Sequence, residues 1–438
     1  MDIIIAGVGG VGFRLAKALS VAHNVIVMDR NIEALNKLQE SIDVLTLGGN
    51  VEDPRTYEAL LEKTYDLFIA VTDSDEINII SSLIAQERIK VRQKIVRLKN
   101  EFFARSSIAQ KVGITEAVFP FELTALSVKA LLDFPKANNV KSFCGTSLKL
   151  ISVRTFFDNE AEQISINEIR NERVCIVGVD RGKNFFIPTR DENLMHGDMI
   201  YLFGKPEEIK KICSKINKNM PSVIKNVVIF GADVLGVEIA KVLSNENIAI
   251  KIVEKDIQKC KNAAELLQNR ATVISSKYGD SVFYEEEGLK NANMVIATSA
   301  NDEENIVKCV EAKEHGIKKV VAINNDITHY NLMHSLGMMV VRGPKINAYY
   351  SILELIGSSS IVREKLFCGG EAIGFIREVI PSNKKLKAIE GEDILSLIVH
   401  EDEIFCFKQD YIPSEKSILM CFCKRKHEQR CREWINNL

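Results

Sequence analysis

No apolar run in this 438-residue chain approaches the ~18–20 residues that a membrane-spanning helix needs. Any tie to a membrane is therefore expected to run through a partner. Met1-Asp2 leads straight into an apolar strand with no basic segment ahead of it, so no signal peptide is expected. Excess charge is missing too. Lys and Arg number 57 against 59 Asp and Glu, a net charge of −2, which gives no reason to expect nucleic-acid binding, since that usually needs a clearly basic face. The ten cysteines include no C-x-x-C pair. Cys421-x-Cys423 alternates along an apparent strand, so both thiols fall on one face, but no matching ligand pair follows. Reduced, space-filling thiols are expected and no metal site. The seven histidines are scattered; His329 and His334 are five apart, not the i, i+4 pair of a helical metal site. The small β-rich segments show no Ser/His, Cys/His or His/Asp grouping to serve a dehydrogenase, and no G-K-[ST] motif suggests phosphoryl transfer, so no catalytic residue is assigned.

What is present is an ordinary globular mixture, 46% hydrophobic and 26% charged, in a chain long enough for about two to four domains. It repeats itself. "IIIAGVGGVG" (3–12) returns as "VVIFGADVLG" (227–236), and Gly7 and Gly231 open the two turns 224 residues apart. Asp29 and Glu254 end the following strands, and "AVTDSDEIN" (70–78) returns as "ATSANDEEN" (297–305). Offsets this constant indicate tandem duplication. Within each half, short apolar runs alternate with amphipathic helical stretches. Five such runs are read as strands in the first half, from "DIIIAGV" to "KIVRLK", and five in the second, from "NVVIFG" to "KVVAIN". The expected fold is α/β: two tandem Rossmann-like, doubly wound parallel-sheet domains, each followed by a small α+β domain. The boundaries are 1–137, 138–219, 220–357 and 358–438. The last segment ends in a charged tail, expected as a surface helix carrying Trp434, the single tryptophan.

The glycines have distinct tasks. Gly7 permits a tight exit from the strand, Gly9 a close approach of backbone to pyrophosphate, and Gly12 close packing of helix on strand. The helix beginning near Gly10 aims free N–H groups, with about half a unit of positive charge, at the phosphates. Asp29, 22 residues past Gly7, is placed to accept both ribose hydroxyls. Thr72, Asp73 and Asp75 follow a strand end, and Arg97 lies near another, within reach of phosphate or of a surface carboxylate. In the second copy Asp233 stands where the middle glycine belongs. That cleft is either structural and empty or takes a smaller or differently placed ligand.

With "VIVMDR", "LGGNVEDP" and "FIAVTDSDEINIISSLIAQ" added to the tandem fingerprints, the chain resembles the TrkA family, regulatory subunits of Trk potassium uptake systems built from RCK (KTN) domains. The resemblance covers nearly the whole chain up to about Cys423. It implies two RCK N domains, each with a small C domain, that bind NAD(H) and/or ATP/ADP as regulatory ligands. It also implies a homo-oligomeric ring, dimeric or tetrameric, in the cytoplasm. The ring would be peripheral on the cytosolic face of the inner membrane, against a potassium-translocating subunit of the TrkH/TrkG kind. By this resemblance Gly7, Gly9, Gly10 and Gly12, with the intervening Val8 and Val11, face the phosphates and Asp29 the ribose. Asn50, where the family more usually has Asp, and Val51 lie toward the adenine. Thr72, Asp73 and Arg97 match the strand-end positions. In the second copy only Gly231, Gly236 and Glu254 carry over, because Asp233, Lys277 and Asn324 depart from the pattern. The alternatives are an NAD-dependent oxidoreductase or a regulator of another cation channel or exchanger.

Overall fold

In the computed structural model the first apolar runs become parallel strands, because helical crossovers return the chain to the same end of the sheet before each new strand. The structure describes all residues except 62, 101, 104–105, 144–145, 190, 277–280, 358–361, 383–384 and 408–410. The chain divides into two units. One is Met1–Thr124 with Arg342–Leu353, the other Ala125–Val341 with Glu354–Leu438.

In the first unit β1 (Asp2–Ala6), β2 (Asn24–Asp29), β3 (Leu45–Gly48), β4 (Thr64–Ala70), β5 (Lys90–Arg97) and β6 (Glu116–Val118) form one parallel sheet in the order β3-β2-β1-β4-β5-β6. Helices α1 (Gly10–Leu19), α2 (Ile32–Ser41) and α3 (Asp75–Arg88) connect them. The strand order reverses between β1 and β4, so loops at their C-terminal ends diverge and leave a crevice. Ile3, Ile4 and Ile5 are fully buried, as a central strand covered on both faces requires. Ile4, Phe68, Val96 and Tyr57 lie in one core cluster, and Tyr57 satisfies its hydroxyl on the Val51 carbonyl at 2.8 Å.

The second unit contains most of the repeat. Strands at Asn226–Phe230, Ala249–Glu254, Thr272–Ser275, Met294–Ala297, Lys319–Asn324 and Met339–Arg342 form a second six-stranded sheet in the same spatial order. Two small five-stranded sheets and a two-stranded one, Ile164–Ser165 with Asn193–Leu194, complete the unit; their strands pair antiparallel. The first uses Asn139–Ser142, Lys149–Arg154, Val174–Arg181, Asn184–Phe186 and Met199–Gly204, and the helix Pro206–Ile216 follows it. The second spans Val362–Lys424. The two share one core, in which Phe143 and Phe203 meet Phe422, and Phe185 meets Phe367.

The expected architecture of two doubly wound sheets with small α+β partners is the observed one. Several elements differ from expectation. Each large sheet has a sixth strand, Glu116–Val118 and Met339–Arg342, and the first small sheet begins with Asn139–Ser142. The tail is a helix, Glu428–Asn437, but not simply a surface one. It buries Cys431 and Ile435 against strands Ala372–Val379 and Ser417–Lys424, and Trp434 donates to the Lys387 carbonyl at 2.9 Å. Cys421 and Cys423 do share a face: both hydrogen-bond to Cys431, which pushes its thiol down to about 4 and theirs up. Cys144 lies outside the described residues. Among the described residues no group of three or more His, Cys, Asp or Glu is arranged to hold a metal ion.

Candidate functional site

The turn after β1 is built on a left-handed backbone. Gly7 has φ +108°, where a side chain would be strained, and a Cβ there would lie 3.0 Å from the Thr72 nitrogen. Helix α1 then starts at Gly10 with Gly9 as its N-cap, and no side chain caps it. Its first N–H groups are therefore left for solvent or a ligand. The three fingerprint glycines separate into two kinds. A Cβ on Gly12 would fall 1.8 Å from the Gly7 carbonyl oxygen, so this glycine is dictated by packing. A Cβ on Gly9 or Gly10 would meet no protein atom within 4 Å, so these two border open space.

Asp29 ends β2 beside that turn. Its Oδ2 accepts from the Val8 N–H at 2.7 Å and its Oδ1 from the Asn31 N–H at 2.8 Å. Each oxygen keeps acceptor capacity, which two ribose hydroxyls could use. Across the switch point, Asn78 on α3 ties the ends of β4 and β5. It accepts from Thr72 N and Oγ1 at 2.9 and 2.6 Å and donates to the Thr72 and Arg97 carbonyls. Asp75 does not face the crevice lining. It is buried and accepts from the backbone of Lys99 and Asn100. Arg97, at the end of β5, has a side chain only 6% exposed, 3.6 Å from Asp73, and its Nε lacks a partner. Burial pushes its guanidinium down from the usual range, while Asp73 and Asp75 oppose that shift. A guanidinium so buried and so poorly satisfied is costly unless an anion completes it.

These residues line one cleft of about 540 Å³. It brings together Gly7, Val8, Gly9, Gly10, Val11 and Asp29 with Asn50, Val51, Thr72, Asp73 and Arg97. Gly12 lies beneath it, buried against the turn. The lining also includes Arg30, Asn31, Ala34, Glu52, Ser74, Ile77 and Lys345, which the sequence reading did not select. Asn31 and Ser74 carry a local signal, since both cap helices, α2 and α3. Lys345 carries none.

The second copy keeps the turn and places an ion pair beside it. Gly231 repeats the left-handed backbone at φ +112°, and a Cβ on Gly236 would lie 2.0 Å from the Gly231 oxygen. Asp233 stands at the N-cap position of the next helix with φ −69° and ψ 174°, close to the backbone of Gly9, and its side chain makes no capping hydrogen bond. Its carboxylate meets Lys259 at 2.7 Å. Lys259 occupies the place that Ala34, a lining residue, has in the first repeat. Glu254 is 3% exposed, and its oxygens accept from the backbone of Ala232, Lys255 and Asp256 at 2.8–3.0 Å. Asn324 stands at the position of Arg97 and donates to the Asp326 carbonyl at 2.6 Å, so the buried cation is gone. Lys277 lies outside the described residues.

A TrkA-N domain model matches residues 3–120 and again 227–344, and a TrkA-C domain model matches 158–217. The chain belongs to the TrkA family. Its TrkA-N repeats carry the two clefts just described. Among curated proteins it is similar to a "Trk system potassium uptake protein TrkA homolog" of Archaeoglobus fulgidus, 24% identical over 443 residues and 99% of both chains. Among solved structures it is similar in fold to the "GsuK channel bound to NAD", with a TM-score of 0.63, 16% identity, and coverage of 100% of this chain and 79% of that one. It is likewise similar to "GsuK bound to ADP", with a TM-score of 0.52, 13% identity, and coverage of 81% and 69%.

Proposed function

We propose that this chain is a nucleotide-binding regulatory subunit of a Trk-type potassium uptake system, without enzymatic activity of its own. The observation that carries the proposal is the first cleft. An uncapped helix N-terminus, an open glycine floor, a ribose-ready carboxylate and an under-satisfied buried arginine converge there, and no catalytic acid, base or nucleophile was found in the sequence to accompany them. NAD(H) and ATP/ADP are the candidate ligands, supported by the similar GsuK structures bound to NAD and to ADP. The phosphates would rest on the N-terminus of α1 and near Arg97, the ribose on Asp29, and the adenine toward Asn50 and Val51.

Among the described residues no helix is long and apolar enough to cross a membrane. In this proposal the chain assembles as a ring on the cytosolic face of a membrane potassium-translocating subunit, and ligand-dependent change in the ring gates the pore. A ligand shifts such an equilibrium only as far as it prefers one state, about 1.4 kcal/mol for each tenfold difference in affinity. The test is potassium flux into vesicles that hold the translocating subunit, with this chain added outside. Flux should change with added ATP or NADH only when the chain is present. Flux that ignores the nucleotide in its presence would contradict the proposed gating.

A further inference from the structure

A lysine from the second repeat stands in the first cleft. Lys345 lies in the first turn of the helix Pro344–Gly357 and lines the cavity with Arg97 and Asp73. Its position follows from its neighbours within the first unit. Thr124 Oγ1 donates to the Arg342 carbonyl at 3.1 Å, and Asn347 Nδ2 donates to Thr124 Oγ1 at 2.8 Å. Thr124 sits just after β6, which pairs with β5 through Arg97 and Val118. Lys345 therefore stands on the β5–β6 side of the switch point with Arg97, whereas Asp29 stands on the β2 side.

Charge on that side is not balanced. Asp73 lies 3.6 Å from Arg97 and 3.4 Å from Lys99, so one carboxylate serves two cations. Asp75 accepts from backbone N–H groups and adds a second negative charge that acts on Arg97, but with Lys345 the cations Arg97, Lys99 and Lys345 still outnumber these two carboxylates. Lys345 is exposed and, among the described residues, has no ion-pair partner. A nucleotide held by its ribose at Asp29, with phosphates at the start of α1, presents its far end to this surplus of positive charge. In a nucleoside triphosphate that end is a further phosphate. In a dinucleotide it is a nicotinamide riboside, which brings no additional anionic group.

We propose that Lys345 is a specificity-determining residue: it pairs with the terminal phosphate of a nucleoside polyphosphate and so favours that class over a dinucleotide in the first cleft. This rests on the proposal that the cleft binds nucleotides at all. The test is calorimetric titration of the full chain with ATP and with NAD in magnesium-free buffer, for native protein, Lys345→Gln and Lys345→Arg, with thermal melting as the check on folding. Lys345→Gln should weaken ATP about tenfold, the scale of one charge-assisted hydrogen bond. NAD affinity should stay within about twofold, and Lys345→Arg should keep the native ratio. An ATP-to-NAD affinity ratio unchanged in a folded Lys345→Gln overturns the inference alone. Native protein that binds neither ligand overturns the nucleotide proposal and the inference with it.

Discussion

Gly9 and Gly12 look alike in a fingerprint and differ in their surroundings. Gly12 faces a carbonyl oxygen at a distance no Cβ can occupy, so Gly12→Ala should force the turn and α1 apart. It should cost about 1–3 kcal/mol, the usual scale of overpacking, seen as a lower melting temperature. Gly9→Ala places its methyl in open space; melting should be unchanged, while nucleotide affinity falls about tenfold or more because the phosphates lose their close approach. Melting and titration of the two variants should thus separate packing from binding. This division was legible in the sequence, since each glycine's task follows from its place in a strand–turn–helix. The fate of Asp233 was legible only in part. Its sign and position showed that the second cradle is altered, but its partner Lys259 comes from another helix. That ion pair is solvent-exposed on both sides and worth little to stability.

The strands and connecting helices were read from alternating apolar and amphipathic stretches, and the sheets they form are the expected ones. The missed strands are short. Glu116–Val118 has three residues and Met339–Arg342 four, too few for a period to show, and each exists because an edge of the large sheet is there to receive it. Lys319, the first residue of Lys319–Asn324, shows what tertiary context alone decides. It is fully buried, donates to the Pro135 and Ala137 carbonyls, and burial pushes its ammonium down from 10.5 to about 7. Between pH 7 and 10.5 the unfolded chain then binds the proton more tightly than the folded one, so stability rises with pH across that window. From this group it is flat below pH 7. Urea midpoints measured across the window should climb in native protein and climb less in Lys319→Met.

Across the molecule, duplication was evident from constant offsets, and it accounts for the two sheets. What the offsets could not show is which parts meet. Lys345 lies more than 300 residues from the glycine turn it faces, with no local pattern to mark it. The shared core of the small sheets was equally hidden, because each sheet reads as an independent unit. Phe422 is fully buried and touches Phe143 and Phe203 from one small sheet's surroundings and Phe367 from its own. Phe422→Ala should therefore cost about 3–5 kcal/mol and show as a lowered unfolding midpoint in urea. In the proposed function the first cleft takes the phosphates and the Asp233–Lys259 pair disfavours them in its duplicate, so we expect a single nucleotide per chain. Calorimetric stoichiometry with ATP and NADH, on native protein and on Gly9→Asp, tests this most directly. The predicted result is about one ligand per chain in native protein and none in the folded variant. Native protein that binds no nucleotide, or a Gly9→Asp that binds as native does, would contradict it.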